Sequence, residues 1–357
     1  MTQSSKFRFK LISAVLCSLL LTSIFVGCSK DSDPPPPPPD KSALQDTIDV
    51  AQALYDGTVE GTKPGQYEVG SKADLQTAID AGNGVVADAS VTQAQVTSAT
   101  ANVHAAIDTY KSHLIKEISA ANLMGYWKFN GNTNDSSGNG RDGTAMQGHV
   151  YYGAGNLALT ADRFGRSGMA YHFDGGSNVE VPYSTSLNPQ QMSISLWCKK
   201  SPGGRTLNTD TYTLLSLNRW NGFKLQYQSA NKIFFTVKAV NGTDTSFYDR
   251  DDETAVLDNE VWYHVLVTFK PGEMDFYING DLVKAWTNTP FAAITLATPI
   301  NFIIGQDLPT STYLTVDGDF QVAWGGFFTG DIDDVMFYNI ALDGPQAKSI
   351  FENQKTL

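Results

Sequence analysis

Six tryptophans and a scatter of late aspartates are the residues in this 357-residue sequence whose types could do chemistry. An indole face stacks on the C–H groups of a pyranose, while a neighbouring amide or carboxylate takes its hydroxyls. Trp220 in Asn218-Arg219-Trp220-Asn221-Gly222, Trp286 beside Asn288, and Trp324 in Ala323-Trp324-Gly325-Gly326 stand in loop-like surroundings. Trp220 and Trp324 are the first candidates for sugar contact, with Trp286 and Asn221 beside them. Each of these tryptophans could equally be a plug under its loop. Alternation puts Trp197 on the face of Ser195, opposite Ile194, Leu196 and Cys198, so it is either an exposed platform or part of a second buried face. Trp127 and Trp262 read as core.

The aspartates suit a different ligand. Ca²⁺ takes carboxylate, amide and carbonyl oxygens. Asn134 and Asp135 offer these in an early loop, Asp174 at a strand end, and Asp331, Asp333 and Asp334 at a late strand. Asp135, Asp333, Asp174 and Asp334 are the expected ligands of a structural Ca²⁺. The alternative is that Asp135 caps a turn and Asp333 bonds backbone at a strand entrance. The histidines, His104, His113, His149, His172 and His264, show no zinc spacing. No Gly-x-Ser-x-Gly nucleophile motif occurs, and no phosphate loop opens a helix. Asp249, Asp251, Asp252 and Glu253 read as a solvated acidic loop. Cys198, with no histidine near it in sequence, reads as a buried strand cysteine.

The N-terminus supplies an address. Lys6, Arg8 and Lys10 precede an apolar run, Leu11 to Val26, that closes on Gly27-Cys28. The run is short and ends at a small-residue cleavage signal, as an exported leader does. Gly-Cys at the end of such a run resembles a lipobox, which implies cleavage before Cys28 and lipidation of its thiol. Ser29-Lys30-Asp31-Ser32-Asp33 resembles the acidic export signal of surface lipoproteins in the Bacteroidetes. Pro34 to Pro39 then form a polyproline II rod, a spacer of roughly 20 Å at about 3.1 Å per residue.

Composition narrows the partners. Of 25 basic residues, three leave with the leader, so about 22 remain against 37 acidic residues, a net charge near −15. Such a surface repels nucleic acid and anionic membranes and suits neutral polysaccharide, a basic partner or Ca²⁺. With Cys17 in the leader and Cys28 lipidated, Cys198 has no partner for an intramolecular disulfide.

Two periodicities divide the rest. Leu44, Ile48, Ala51 and Tyr55 recur at helical spacing, as do Leu75, Ala78, Ile79, Gly82 and Val86, and again Val96, Ala99, Val103, Ile107, Tyr110 and Leu114. Ser71 to Asp74 and Thr92 to Gln95 read as helix starts. From Gly125 the period is two, with turn signals between short strands and no intervening helices. Asn279-Gly280 between Phe276-Tyr277-Ile278 and Leu282-Val283 is the strongest hairpin signal. The expectation is a mainly β, antiparallel two-sheet sandwich behind a small three-helix bundle. The boundaries are 1–27 leader, 28–40 lipidated Cys28 and tether, 41–118 bundle and 121–357 sandwich.

Both folded parts resemble known families. Lys63-Pro64-Gly65-Gln66-Tyr67, Ala73 to Asp80 and Ala106-Ile107-Asp108-Thr109-Tyr110 resemble the FIVAR-type helical module of bacterial surface proteins, which implies a spacer or sugar-binding accessory. The sandwich resembles the laminin-G-like, concanavalin A-like lectin/glucanase jelly roll in five stretches. These are Gly125 to Gly131 with Asp135 to Gly140, Phe164 to Ala170 leading to Phe173-Asp174-Gly175, Met192 to Cys198, Trp262-Tyr263-His264 through Phe276 to Gly280, and Gly330 to Val335 before Tyr338-Asn339. That resemblance implies neighbouring first and last strands, bringing Asp135 towards Asp333. It also implies that a hydrolase would carry Glu-x-Asp-x-x-Glu on a strand. Glu273-Met274-Asp275 is the only Glu-x-Asp, and no third carboxylate follows it. No catalytic residue is therefore named. The expected function is glycan capture by a lipid-anchored protein on the outer membrane, facing outwards. The alternatives are a structural or adhesive surface protein and, behind it, a glycoside hydrolase.

Overall fold

The computed structural model describes residues 37–147, 155–203, 212–289, 291–315 and 326–356. Cys28, most of the leader and tether, His149 and Trp324 lie outside the described residues. From Asp40 to Leu357 the chain is one compact unit.

The three helices form as their apolar spacing requires: α1 Ser42–Gly57, α2 Ser71–Ala87 and α3 Gln93–Ser112. Leu44, Ile48, Leu75, Ile79, Val96, Val103 and Ile107 close the bundle core. Tyr67, from the turn between α1 and α2, stacks on Tyr110 with ring centroids 4.3 Å apart. Thr92 and Gln95 make the expected capping box. The start of α2 differs from expectation. Gly70, at φ +96°, occupies the cap position, and the Ser71 hydroxyl donates to the Glu68 carbonyl instead.

Among the described residues the sandwich has two eight-stranded sheets, both with antiparallel pairing. The first runs Asp281–Trp286, Glu273–Ile278, Tyr263–Lys270, Met192–Lys200, Thr329–Tyr338, Ala170–Asp174 and Leu157–Thr160. Leu123–Trp127 also pairs with Thr329–Tyr338. The second runs Asp244–Asp251, Lys232–Asn241, Phe223–Gln228, Tyr212–Leu217, Phe302–Ile304, Asn178–Val181 and Thr144–Met146, with Ala292–Ala293 beside Lys232–Asn241. Alternation sends Ile194, Leu196, Cys198, Val265, Val267, Ile332 and Val335 inwards from one sheet. Leu215, Leu217, Phe223, Leu225, Phe235 and Phe302 meet them from the other. Phe223 stacks on Phe337 at 5.6 Å and Trp127 on Phe302 at 5.5 Å, so aromatic pairs lock the layers. Burying each such ring contributes about 1.5–3 kcal/mol. Gly125 is glycine because a Cβ there would lie 2.3 Å from the Trp127 ring. Asn279 and Gly280, at φ +51° and +78°, make the expected hairpin turn.

Among the described residues, the short helix Thr310–Thr315 contradicts the reading of strands with no intervening helices, and a second helix follows the last strand. This second helix, Gly344–Gln354, is started by a capping box between Asp343 and Gln346. It covers the outer face of the first sheet. Ala347 and Ile350 pack with Leu266, Tyr277 and Tyr338, and Phe351 stacks on Trp197 at 5.7 Å. Trp197 thus belongs to a second buried face, its Nε1 donating to Gln354 Oε1 at 2.9 Å. The opposite side of this helix holds the bundle. Ser349 Oγ donates to the Thr62 carbonyl at 2.7 Å, Thr62 Oγ1 donates to Asn353 Oδ1 at 2.9 Å, and Lys116 pairs with Asp343 at 2.8 Å.

Candidate functional site

The outer face of the second sheet carries a row that is polar apart from Ile303. Glu180, Ile303, Ser216, Lys224, Thr236 and Asp249 stand side by side in register across six strands. Their alternate neighbours fill the core, so this row must face away from it. At the end of the Tyr212–Leu217 strand the chain reverses through Asn218 and Arg219, at φ +60° and +54°. Gly222 closes the reversal, because a Cβ there would lie 2.2 Å from the Leu217 carbonyl oxygen. Trp220 sits at the tip of this turn.

The turn is anchored from below. Arg219 Nε meets Asp307 Oδ2 at 2.5 Å, with both side chains almost completely buried. The Arg219 backbone N–H donates to Ser216 Oγ at 3.0 Å. The guanidinium lies 5.1 Å from the Trp220 ring centroid, and Lys224 Nζ lies 5.5 Å from it. Trp220 itself is half-buried and Asn221 is exposed. Lys238 Nζ donates to Asn221 Oδ1 at 3.4 Å and lies 5.3 Å from the ring of Phe247, which is 48% exposed. Burial brings Lys224 down to about 8 against the opposing pull of Asp307, with a smaller push from the Arg219 charge. An aromatic face, an exposed amide and the half-buried Lys238 ammonium therefore share one surface, with the buried Lys224 ammonium beside the indole. Asn218 continues it into a depression of about 440 Å³ with Pro299, Ile300, Asn301 and Pro309. Two other clefts, of about 560 and 630 Å³, lie on the bundle and between the bundle and the C-terminal helix, and neither is lined by a tryptophan.

Of the expected sugar contacts, the structure brings Trp220 and Asn221 together. Trp286 is elsewhere. It ends a strand of the first sheet, gives its Nε1 to the Asp251 carbonyl at 2.9 Å, and lies under Lys284 and Arg250 at 4.3 and 5.0 Å. Trp286 is thus a plug against the core. Trp262, read as core, is only half-buried, with Lys199 Nζ 5.5 Å from its ring. Phe247 and Lys224 had no signal of their own in the sequence, since only strand register brings them to Trp220.

The expected calcium ligands do not assemble. Among the described residues, no three of His, Cys, Asp or Glu form a group that could hold a metal ion. Leu123–Trp127 does pair with Thr329–Tyr338, but Tyr126 occupies the space between the two carboxylate sets. Its backbone N–H donates to Asp135 at 3.0 Å and its hydroxyl to Asp334 at 2.6 Å. Asp135 also accepts from Ser137 N and Oγ, both at 2.8 Å, and from Arg141 N at 3.0 Å. Burial opposes its charge, yet these N–H groups prevail and hold its pKa below the ordinary carboxylate range. Asp135 is therefore a turn cap. Asp333 and Asp334 both face Arg163, at 2.6 and 2.9 Å. Adjacent strand residues normally point to opposite faces. A bulge with Asp334 at φ +49° turns both to one side. Asp174 ends its strand apart from them, half-buried beside Gly175.

The acidic run read as a solvated loop differs from that reading. Asp244–Asp251 is a strand, and Asp252 is fully buried, accepting from the Ile233 N–H at 2.9 Å. Glu273 and Asp275 share a face of one strand, and the Tyr277 hydroxyl donates to Asp275 Oδ2 at 3.4 Å. Burial, then Glu273, pushes Asp275 up to about 7. His264, buried, bonds Ser195 Oγ at 2.9 Å, and Cys198 is buried against the Tyr227 hydroxyl at 3.3 Å.

Residues 173–348, most of the sandwich, match the family model of the concanavalin A-like lectin/glucanases superfamily. A comparison with curated proteins gave no match. Among solved structures, domain 4 of AbnA, a GH43 extracellular arabinanase from Geobacillus stearothermophilus solved with arabinotriose, is similar at 22% identity. That match covers 64% of this chain and 98% of that one, with a TM-score of 0.46. The binding domain of botulinum neurotoxin DC, solved with rat synaptotagmin II, matches at 17% identity over 66% of this chain and 52% of that one, with a TM-score of 0.42. A botulinum neurotoxin type C structure, whose cell entry depends on two ganglioside molecules, matches at 18% identity over 66% and 51%, with a TM-score of 0.42.

Proposed function

We propose that this chain is a lectin-like surface lipoprotein that captures glycan at the Trp220 turn. The observation that carries the reading is the turn itself. A half-buried indole is fixed from beneath by the buried Arg219–Asp307 pair, with the Asn221 amide exposed beside it. A pyranose stacked on that ring would find hydrogen-bonding groups within reach, and the rigid anchor lowers the ordering cost of binding. Cleavage before Cys28 would attach the protein to the outer membrane, with the proline rod and the FIVAR-like bundle as the spacer between lipid and lectin.

The Asp40–Leu357 unit is tested on a panel of immobilised neutral and acidic polysaccharides. Retention by at least one glycan is expected, and Trp220→Ala weakens it about tenfold or more, equivalent to about 1.4 kcal/mol. A folded protein that no glycan retains would move the assignment to an adhesive protein that recognises other proteins. For the anchor, Cys28→Ser should abolish incorporation of labelled palmitate and release the protein from the outer-membrane fraction. A variant that stays lipidated would remove that part of the reading.

A further inference from the structure

We infer that the Trp220 turn selects glycans bearing a negative charge, a uronate carboxylate or a sulfate ester, with Lys224 as the residue that meets it. The inference rests on the glycan-binding reading of the same turn.

Lys224 is 5% exposed. A buried ammonium without a counter-charge is costly, so buried cations are normally paired. Arg219 has Asp307 at 2.5 Å and Arg163 has Asp333 at 2.6 Å. Lys224 forms no ion pair with any described residue, although two acids are close in the fold. Asp307 is engaged by Arg219, and Asp249, on the same cross-sheet row, accepts from the Thr236 hydroxyl. What Lys224 faces instead is the indole, 5.5 Å away. Lys238 stands half-buried on the neighbouring strand, two residues beyond the Thr236 that pairs with Lys224. It touches the Asn221 amide and the Phe247 ring and has no ion pair with a described residue. Two ammonium groups without acidic partners thus flank the aromatic platform, on a chain whose formal charge is −12.

A sugar ring on Trp220 would place its exocyclic substituent at the rim of the indole, where Lys224 and Lys238 stand. A carboxylate or sulfate there would form a charge-assisted bond in a partly desolvated setting, stronger than a neutral hydroxyl could make. The acidic remainder of the surface would discourage loose association of polyanions, leaving this spot as the place of attraction. With its pKa near 8, Lys224 remains mostly charged at neutral pH, and an arriving anion would raise it.

The test is calorimetric titration of the full-length protein with oligogalacturonate and with its methyl ester, the same sugar without the charge. A sulfated galactan and its desulfated form make the second arm. The expected result is about tenfold tighter binding of a charged member over its neutral partner, about 1.4 kcal/mol, weakening as salt rises. The arm that shows the preference identifies the carboxylate or the sulfate. Lys224→Met should erase the preference for the charged member, and Lys224→Arg should restore part of it. Equal affinity for charged and neutral partners in wild-type protein overturns the inference and leaves the glycan reading standing, whatever the variants do. Tighter binding of the neutral forms, or of neutral glycans alone, does the same. Binding of no sugar in either arm or on the wider panel overturns both.

Discussion

Arg163 and Asp333 meet at 2.6 Å with side chains only 4% and 2% exposed, beneath a helix whose Gln354 carbonyl accepts from the same guanidinium at 2.9 Å. The arginine thereby joins a strand bulge to the helix above it, and its planar face lies 4.6 Å from the Trp197 ring centroid. Removing it would leave two adjacent carboxylates buried without a cation. Arg163→Ala is expected to lower the unfolding free energy by about 3–5 kcal/mol, read from urea denaturation at neutral pH. A loss below about 1 kcal/mol, the value of an exposed pair, would show that this site is solvated.

His264 sets an acid limit. Burial first, and then the Arg163 charge, pushes its pKa down to about 3. In the unfolded chain the imidazole takes a proton near its ordinary pKa of about 6.5. Between those values the unfolded state binds more protons, so stability falls as pH drops from about 6.5 towards 3. Urea midpoints across that range should decline less steeply in His264→Gln than in wild type. Identical slopes would mean that other groups carry the acid loss.

Asp275 works in the opposite direction. Its pKa is raised to about 7, mainly by burial and then by Glu273, so the folded state holds a proton that the unfolded state releases near its ordinary pKa of about 4. Stability contributed by the protonated form is complete below that lower value and is lost as pH rises to 7. Asp275→Asn, which cannot ionise, should gain on wild type as pH is raised over that interval in thermal melts. A constant difference between the two proteins would contradict a proton held on Asp275 in the folded state.

Cys198 should be silent in the folded protein. Burial pushes its thiol up to about 12, and no solvent reaches it. Within Asp40–Leu357 it is the one cysteine in the sequence. An aromatic disulfide reagent should label that unit only in denaturant, one thiol per chain. Fast labelling without denaturant would place the thiol in a different environment.

What could be read from the residues alone was local. The i, i+3, i+4 stripe of Val96, Val103 and Ile107, the Asn279-Gly280 turn and the alternation around Leu196 each depend on neighbours in sequence, and each element formed. The misreadings were long-range. Trp197 could be assigned to a buried face only by knowing that Phe351 covers it. Asp333 and Asp334 looked like metal ligands because strand alternation hides a bulge, and because nothing near them announces Arg163. The helix that carries Phe351 did leave a signal, Asp343 and Gln346 around Pro345, but its apolar stripe is short and follows a long β-region. At the candidate site Trp220 and Asn221 were visible as a loop pair. Lys224, Lys238 and Phe247 reach them only through the register of neighbouring strands.

The position of Thr329–Tyr338 sets the order in which the molecule can be completed. This late strand lies between Met192–Lys200 and Ala170–Asp174 and also takes Leu123–Trp127 along its second half. A growing chain presents those partners long before the strand that unites them exists. Their edges stay open in the meantime, while the helical bundle, built from short-range contacts, can already fold. The sandwich therefore arrives late and as a whole, and a nascent chain halted anywhere between the strands at residues 127 and 329 would be a folded bundle trailing an unclosed sheet.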